Sequence, residues 1–175
     1  MKPETPKATV DPRTYRETVG HFATGVSVIT TKDANGPQGM TVNSLTSVSL
    51  DPTLLLLCLT RDTRTLAGIR ESGAFVVNVL SHHQMALSNN FARPAEDHFA
   101  DVQIEWSDDG MPHLPNSLAT IHCRVWRLDD GGDHEIVIGQ VTDVATNDGD
   151  PLVFYRGRYA RQIGFDDYPV ASWWA

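Results

Sequence analysis

The chain has 175 residues, 41% hydrophobic and 21% charged, the size and composition of one folded domain around a single core, which excludes disordered and fibrous classes. Its 14 Lys and Arg face 22 Asp and Glu, for a formal charge of -8, and no basic stripe is present to neutralise a phosphate backbone, so nucleic acid is excluded as the expected partner. An anionic nucleotide would be repelled at long range, so local Arg and backbone N–H groups must hold any such ligand.

Residues 1–10 carry two prolines and no apolar period and read as a flexible tail with no hydrophobic signal region behind it. The longest apolar run, Leu54 to Leu59, is far too short for a bilayer, so a cytoplasmic protein without membrane attachment is expected. Asp11 and Pro12 predict a helix start, with Tyr15, Val19 and Phe22 at helical spacing, running to about Ala23. Gly25 ends it, and Val26 to Thr31 predicts a strand closed by the turn Asp33-Ala34-Asn35-Gly36-Pro37. Met40 to Leu50 alternates imperfectly up to Asp51-Pro52. Leu54 to Thr60 is apolar on both faces, as a strand buried in a barrel would be. Thr63 to Arg70 predicts a brief helix broken by Gly73, Phe75 to Leu80 a strand, and His83 to Phe91 a second helix. Arg93 to Gly110 reads as a polar loop. Strands follow at Ala119 to Leu128 and Glu135 to Ala145, joined by the turn Asp129 to Asp133. A last one, Leu152 to Tyr155, turns at Arg156-Gly157 into Arg158-Tyr159. About seven strands with small helices between them indicate a mainly β protein, a closed or split antiparallel barrel.

Neither GxGxxG nor GxxxxGK[ST] occurs, which removes the Rossmann and P-loop routes to a nucleotide. Cys58 and Cys123 lack zinc-type spacing, so both read as reduced thiols and no metal is expected. In the segment Met40, Thr41, Val42, Asn43, Ser44 through Ser47 and Ser49, apolar positions alternate with hydroxyls and an amide. A flavin ring edge needs such a strip of donors and acceptors, although a Thr/Ser-rich edge strand facing solvent gives the same pattern. Cys58, Leu59, Thr60, Arg61, Thr63, Arg64 and Thr65 end a strand and open a helix with hydroxyls and two Arg. That is a phosphate cradle, or an ordinary Thr-capped helix with solvated Arg. Gly132-Asp133-His134 forms a turn before a strand, and a lone His in such a turn is more often structural than functional.

Together and in this order, Gly39 to Ser44, Ser47 to Pro52, Thr63 to Thr65, Gly73 to Leu80 and Gly132 to His134 resemble the flavin reductase-like family. These are the small NAD(P)H:flavin oxidoreductase components of two-component flavin monooxygenases, and the likeness runs from about Phe22 to Tyr159. It implies a split β-barrel (Greek key, FMN-binding type) over residues 11–163, followed by an aromatic C-terminal extension over 164–175 that lies outside the resemblance. It further implies a homodimer that reduces FMN or FAD with NADH or NADPH and supplies reduced flavin by diffusion to a partner monooxygenase. By that likeness Thr41, Asn43 and Ser44 contact the flavin ring, and Cys58 to Thr60 line it. Arg64 and Thr65 hold phosphate, and Phe91, with Asn90 and Arg93 beside it, packs near the flavin. His134 then orients the nicotinamide, with Arg156, Gly157, Arg158 and Tyr159 adding contacts to it. The competing expectation is a non-catalytic flavin- or haem-binding barrel on a related fold.

Overall fold

Twelve strands, three α-helices and one short 3-10 turn form within residues 10–160, the part of the chain that the computed structural model describes. The tail expected over 1–10, apart from Val10, and the extension expected over 164–175 lie outside the described residues. Helix α1 (Pro12–Val19) starts where Asp11 and Pro12 place it, the Asp11 carboxylate accepting from Thr14 N at 2.9 Å. It stops at Gly20, not at Ala23, because the chain must turn there to pair β1 (Thr24–Gly25) with β11 (Val153–Tyr155). Tyr15, Val19 and Phe22 are exposed (61%, 48% and 75%), so their helical spacing does not mark a core face in this chain. β11 also pairs with β12 (Arg158–Ala160) across the Arg156-Gly157 turn, completing a three-stranded sheet.

The main sheet has seven strands, all neighbours antiparallel: β2 (Ser27–Asp33), β3 (Gly36–Val42), β4 (Thr46–Leu50), β5 (Thr53–Thr60), β6 (Ala74–Val79), β9 (Ala119–Gly131) and β10 (His134–Thr146). Their spatial order is β3-β2-β6-β9-β10-β5-β4. The sheet is not a closed barrel. Its two edges, β3 and β4, are consecutive in the chain, so Met40 to Leu50 is not one continuous strip but two strands at opposite edges. Twist curls the sheet until the connection between them crosses the gap. There the Ser44 hydroxyl donates to Cys58 O at 3.1 Å and accepts from Cys58 N at 3.0 Å, stitching the split. A two-residue hairpin, β7 (Glu105–Trp106) with β8 (Pro112–His113), begins inside the stretch expected to be irregular. The fold is the mainly β split-barrel type that the strand pattern predicts.

Leu55, Leu57 and Leu59 of β5 are buried with Ile29, Phe75, Val77 and Val137. The opposite face of β5, Leu54, Leu56 and Cys58, is only half-buried. The strand predicted to be buried on both faces is therefore buried on one. Helix α2 (Arg64–Ser72) plugs one side of this core with Leu66 and Ile69. A second cluster of Val26, Val28, Leu80, Phe91, Leu114 and Leu152 lies on the other side of β2, which explains why β2 is buried from Ser27 to Thr31. Each such buried aliphatic or aromatic side chain contributes about 1.5–3 kcal/mol.

Candidate active site

A cavity of about 810 Å³ opens between β3, the start of α2 and the end of α3 (Met85–Phe91), lined by Gly39, Met40, Asp62, Thr63, Arg64, Thr65, Phe91 and the loop Arg93 to Glu96. Its size falls within the range of about 300–1,000 Å³ typical of small-molecule sites. Thr63 is the N-cap of α2, its hydroxyl oxygen accepting from Leu66 N at 3.3 Å. The amides of Arg64 and Thr65 precede any intrahelical acceptor, so the positive end of the helix faces the cavity. The Arg64 guanidinium is not free: it donates to Glu96 O at 2.5 Å and to Ala95 O, tying the 93–96 loop across the cavity mouth. Apolar Met40 and Phe91 beside a helix N-terminus and two Arg suit a ring joined to a phosphate. Gly39 is needed there, because a Cβ would lie 2.9 Å from Phe91 Cε1. On these observations the lining fits a flavin nucleotide.

Thr41, Val42 and Asn43 do not line this cavity but a smaller one of about 170 Å³, with Val26, Phe154 and Tyr159; Ala92 belongs to both. The Thr41 hydroxyl donates to Ser88 O at 2.7 Å, and the Ser88 and Tyr159 hydroxyls lie 2.8 Å apart, so α3 holds both β3 and β12. Ser44 is taken up by Cys58, and Leu59 is fully buried. Ser47 and Ser49 lie on β4, at the far edge of the sheet from β3. Asn90 donates to His98 O at 2.6 Å, positioning the loop, while Arg93 lines the large cavity. Arg156, Arg158 and Tyr159 line a separate cavity of about 410 Å³, with Gly157 at φ +74 in the turn between β11 and β12.

His134 opens β10 directly opposite Thr60, the last residue of β5. One imidazole nitrogen, Nδ1, lies 2.7 Å from Asp133 Oδ1 and the other, Nε2, 3.3 Å from Thr60 Oγ1. The His134 hydrogen bond, with a smaller share from its charge and from Arg16, holds the Asp133 carboxyl below the usual carboxylate range. The Thr63 hydroxyl donates to Thr60 O at 3.1 Å. A hydrogen-bonded chain thus runs from His134 through Thr60 to the N-cap of α2 and the large cavity. Arg61 takes no part in the cavity wall; its guanidinium faces the 130–135 turn. Gln38, Ala95, Glu96 and His98 complete the cavity lining. Loop carbonyls and backbone edges carry no residue-type signal, and only Gly39, beside the Met40 segment, could have been found from the motif.

The flavin reductase like domain family model matches residues 19–162. This chain belongs to that family. The chain is 45% identical over 150 residues to a probable flavin reductase of Rhizobium meliloti (strain 1021), a match that covers 85% of this chain and 48% of that protein, so it spans about half the length of that relative. It is 37% identical over 164 residues to the reductase component of a 4-nitrophenol 4-monooxygenase/4-nitrocatechol 2-monooxygenase from Rhodococcus opacus, covering 94% of this chain and 86% of the other. Among solved structures, the NADH:FAD oxidoreductase SgcE6 of Streptomyces globisporus C-1027, in complex with NAD and FAD fragments, superposes with a TM-score of 0.84 at 33% identity. That match covers 92% of this chain and 100% of the other. Among the described residues no helix is long and apolar enough to cross a membrane, and no group of three or more His, Cys, Asp or Glu is placed to hold a metal ion.

Proposed function

We propose that this reductase passes a hydride from NADH or NADPH to FMN or FAD held in the 810 Å³ cavity and releases the reduced flavin to a separate flavin-dependent monooxygenase. The observation that carries the reading is the hydrogen-bonded chain from His134 through Thr60 to Thr63, which sets a polar turn beside a helix N-terminus at one end of β5. The Rhodococcus relative's role as a monooxygenase reductase component and the SgcE6 complex support the partner and the two nucleotides. Family membership favours this reading over a non-catalytic flavin- or haem-binding barrel.

When bound, the two nucleotides supply the hydride chemistry between their own rings. The chain contributes placement, which reaches about 7–11 kcal/mol of barrier lowering where reacting atoms are held close and aligned. The backbone N–H groups of Thr63, Arg64 and Thr65 hold phosphate at the α2 N-terminus, with Arg93 across the cavity, while the Arg64 guanidinium stays on the 93–96 loop. Met40 and Phe91 pack on the ring system, and Thr41, Val42 and Asn43 border its edge from the smaller cavity that shares Ala92 with the large one, while Ser44 serves by fixing Cys58. His134 orients the nicotinamide carboxamide, with Arg156, Gly157, Arg158 and Tyr159 as further contacts.

Two further parts belong to this reading. The register sets Leu56 against Ile138 and Cys58 against Ile136, giving the sheet an apolar outer face next to exposed Val48, Leu50 and Trp126. An uncovered apolar face of this kind is an association surface, and a second copy of the chain is its occupant, giving a homodimer. The two cysteines are free thiols, in keeping with a cytoplasmic protein. The test is oxidation of NADH and of NADPH by the purified protein with FMN and with FAD. Turnover with at least one pair is expected, and no turnover with any pair overturns the reading.

A further inference from the structure

We infer that Arg61 is a positioning residue for the nicotinamide turn rather than a contact to either nucleotide. The inference rests on the proposed role of His134. Arg61 follows the last residue of β5, yet its backbone N–H and all three guanidinium nitrogens face residues 130–135 at the β9–β10 turn. Its backbone N–H donates to Asp133 O at 3.2 Å. Its Nε donates to Gly132 O at 2.8 Å, one terminal nitrogen lies 3.1 Å from Asp130 Oδ1, and the other lies 3.4 Å from Glu135 Oε2. A planar guanidinium suits this task, because its fork fixes several acceptors at set angles, which a point-charge ammonium does not.

The residues Arg61 grips flank His134 on both sides, and Gly132, at φ +79, is held at its N–H by Asp130 Oδ1 at 2.9 Å and at its carbonyl by Arg61. Glu135 is the anchor. Its side chain is 8% exposed and also paired with Arg70 on α2, so the clamp joins the turn to the same helix whose N-terminus opens on the cavity. Removing the guanidinium leaves Glu135 paired with Arg70, so no buried charge is orphaned and the fold survives the substitution. What is lost is the fixed distance between the His134 imidazole and Thr60.

The experiment compares wild type, Arg61→Met and Arg61→Lys in three measurements. Hydrogen–deuterium exchange of the peptide spanning residues 129–137, in protein without nucleotides, should quicken about tenfold in Arg61→Met while peptides of α2 keep their rates. The nicotinamide KM should rise about tenfold, the size of one lost charged hydrogen bond, with flavin Kd from fluorescence titration within about twofold of wild type. Arg61→Lys should recover part of the exchange protection and part of the KM. A raised flavin Kd with an unchanged nicotinamide KM would assign Arg61 to the flavin and overturn the inference, as would unchanged exchange over 129–137. If wild type oxidises neither nicotinamide with either flavin, the functional reading fails. The clamp is still judged by exchange alone, so the two failures are distinguishable.

Discussion

Replacing Gly39 by Ala tests how the cavity wall is built. The added Cβ would lie 2.9 Å from Phe91 Cε1, 3.1 Å from Phe91 Cδ1 and 3.2 Å from Ile29 O. Carbon contacts settle near about 3.5–4.0 Å, so the ring must withdraw by at least about 0.6 Å. Phe91 is 2% exposed, with ring centroids 5.0 Å from Phe99 and 5.6 Å from His98, so it can yield only by pushing the loop over the cavity or by entering the cavity. Overpacking of this kind costs about 1–3 kcal/mol, and about 1.4 kcal/mol expressed at the cavity is a tenfold rise in flavin Kd. Fluorescence titration with FMN and FAD measures it, alongside thermal unfolding, where about 2–4 °C is lost per kcal/mol at this chain length. Phe91→Leu removes both the ring contact and the clash, so adding Gly39→Ala to Phe91→Leu should weaken flavin binding much less than adding it to wild type, a coupling that a double-mutant cycle isolates. A lower melting temperature with wild-type flavin affinity would refute the placement of Phe91 on the flavin.

Thr63→Ala removes the N-cap of α2 and its bond to Thr60 O; it should cost about 1 kcal/mol of stability in a denaturant titration and weaken flavin binding more than it weakens nicotinamide binding. Leu56→Glu with Ile138→Glu places two carboxylates on the apolar outer face, and analytical ultracentrifugation should then show monomer where wild type is dimeric; an unchanged assembly would move the interface elsewhere. Burial pushes the Cys123 thiol up from 9.0 to about 12. The unfolded chain therefore loses this proton first, and stability falls as pH rises from 9 towards 12. Cys123→Ala should flatten that part of the denaturation-midpoint profile, and an identical slope in both proteins would contradict the burial.

Much of the fold could be read from residue type and spacing because the signals were local. Asp11-Pro12 marked a helix start, β-branched runs marked β2 and β6, and Asp129 to Asp133 marked the β9–β10 turn. The errors arose where long-range pairing decides. Nothing in Met40 to Leu50 says that the chain leaves one sheet edge at Val42 and re-enters at the other at Thr46; that depends on how far the sheet curls. Leu54 to Leu59 is apolar throughout, yet only alternate residues reach the core, and composition alone does not separate an apolar outer face from a core face. At the site, Thr63 and Thr65 were legible as helix-start chemistry. The turning of Arg61 towards Glu135 and of Arg64 towards the Ala95 and Glu96 carbonyls was not, since an Arg reaches several partners and only the fold chooses among them.

The proposed function requires flavin in the 810 Å³ cavity and nicotinamide beside His134 to come within hydride distance of each other. Anaerobic stopped-flow mixing of flavin-loaded protein with nicotinamide deuterated at the transferred C4 position tests it most directly. A saturable loss of nicotinamide absorbance, slowed by deuterium, is predicted, with the half-saturation concentration raised about tenfold in His134→Ala and flavin affinity preserved. A rate with no isotope effect that rises linearly with nicotinamide concentration, identical in wild type and His134→Ala, would contradict the account.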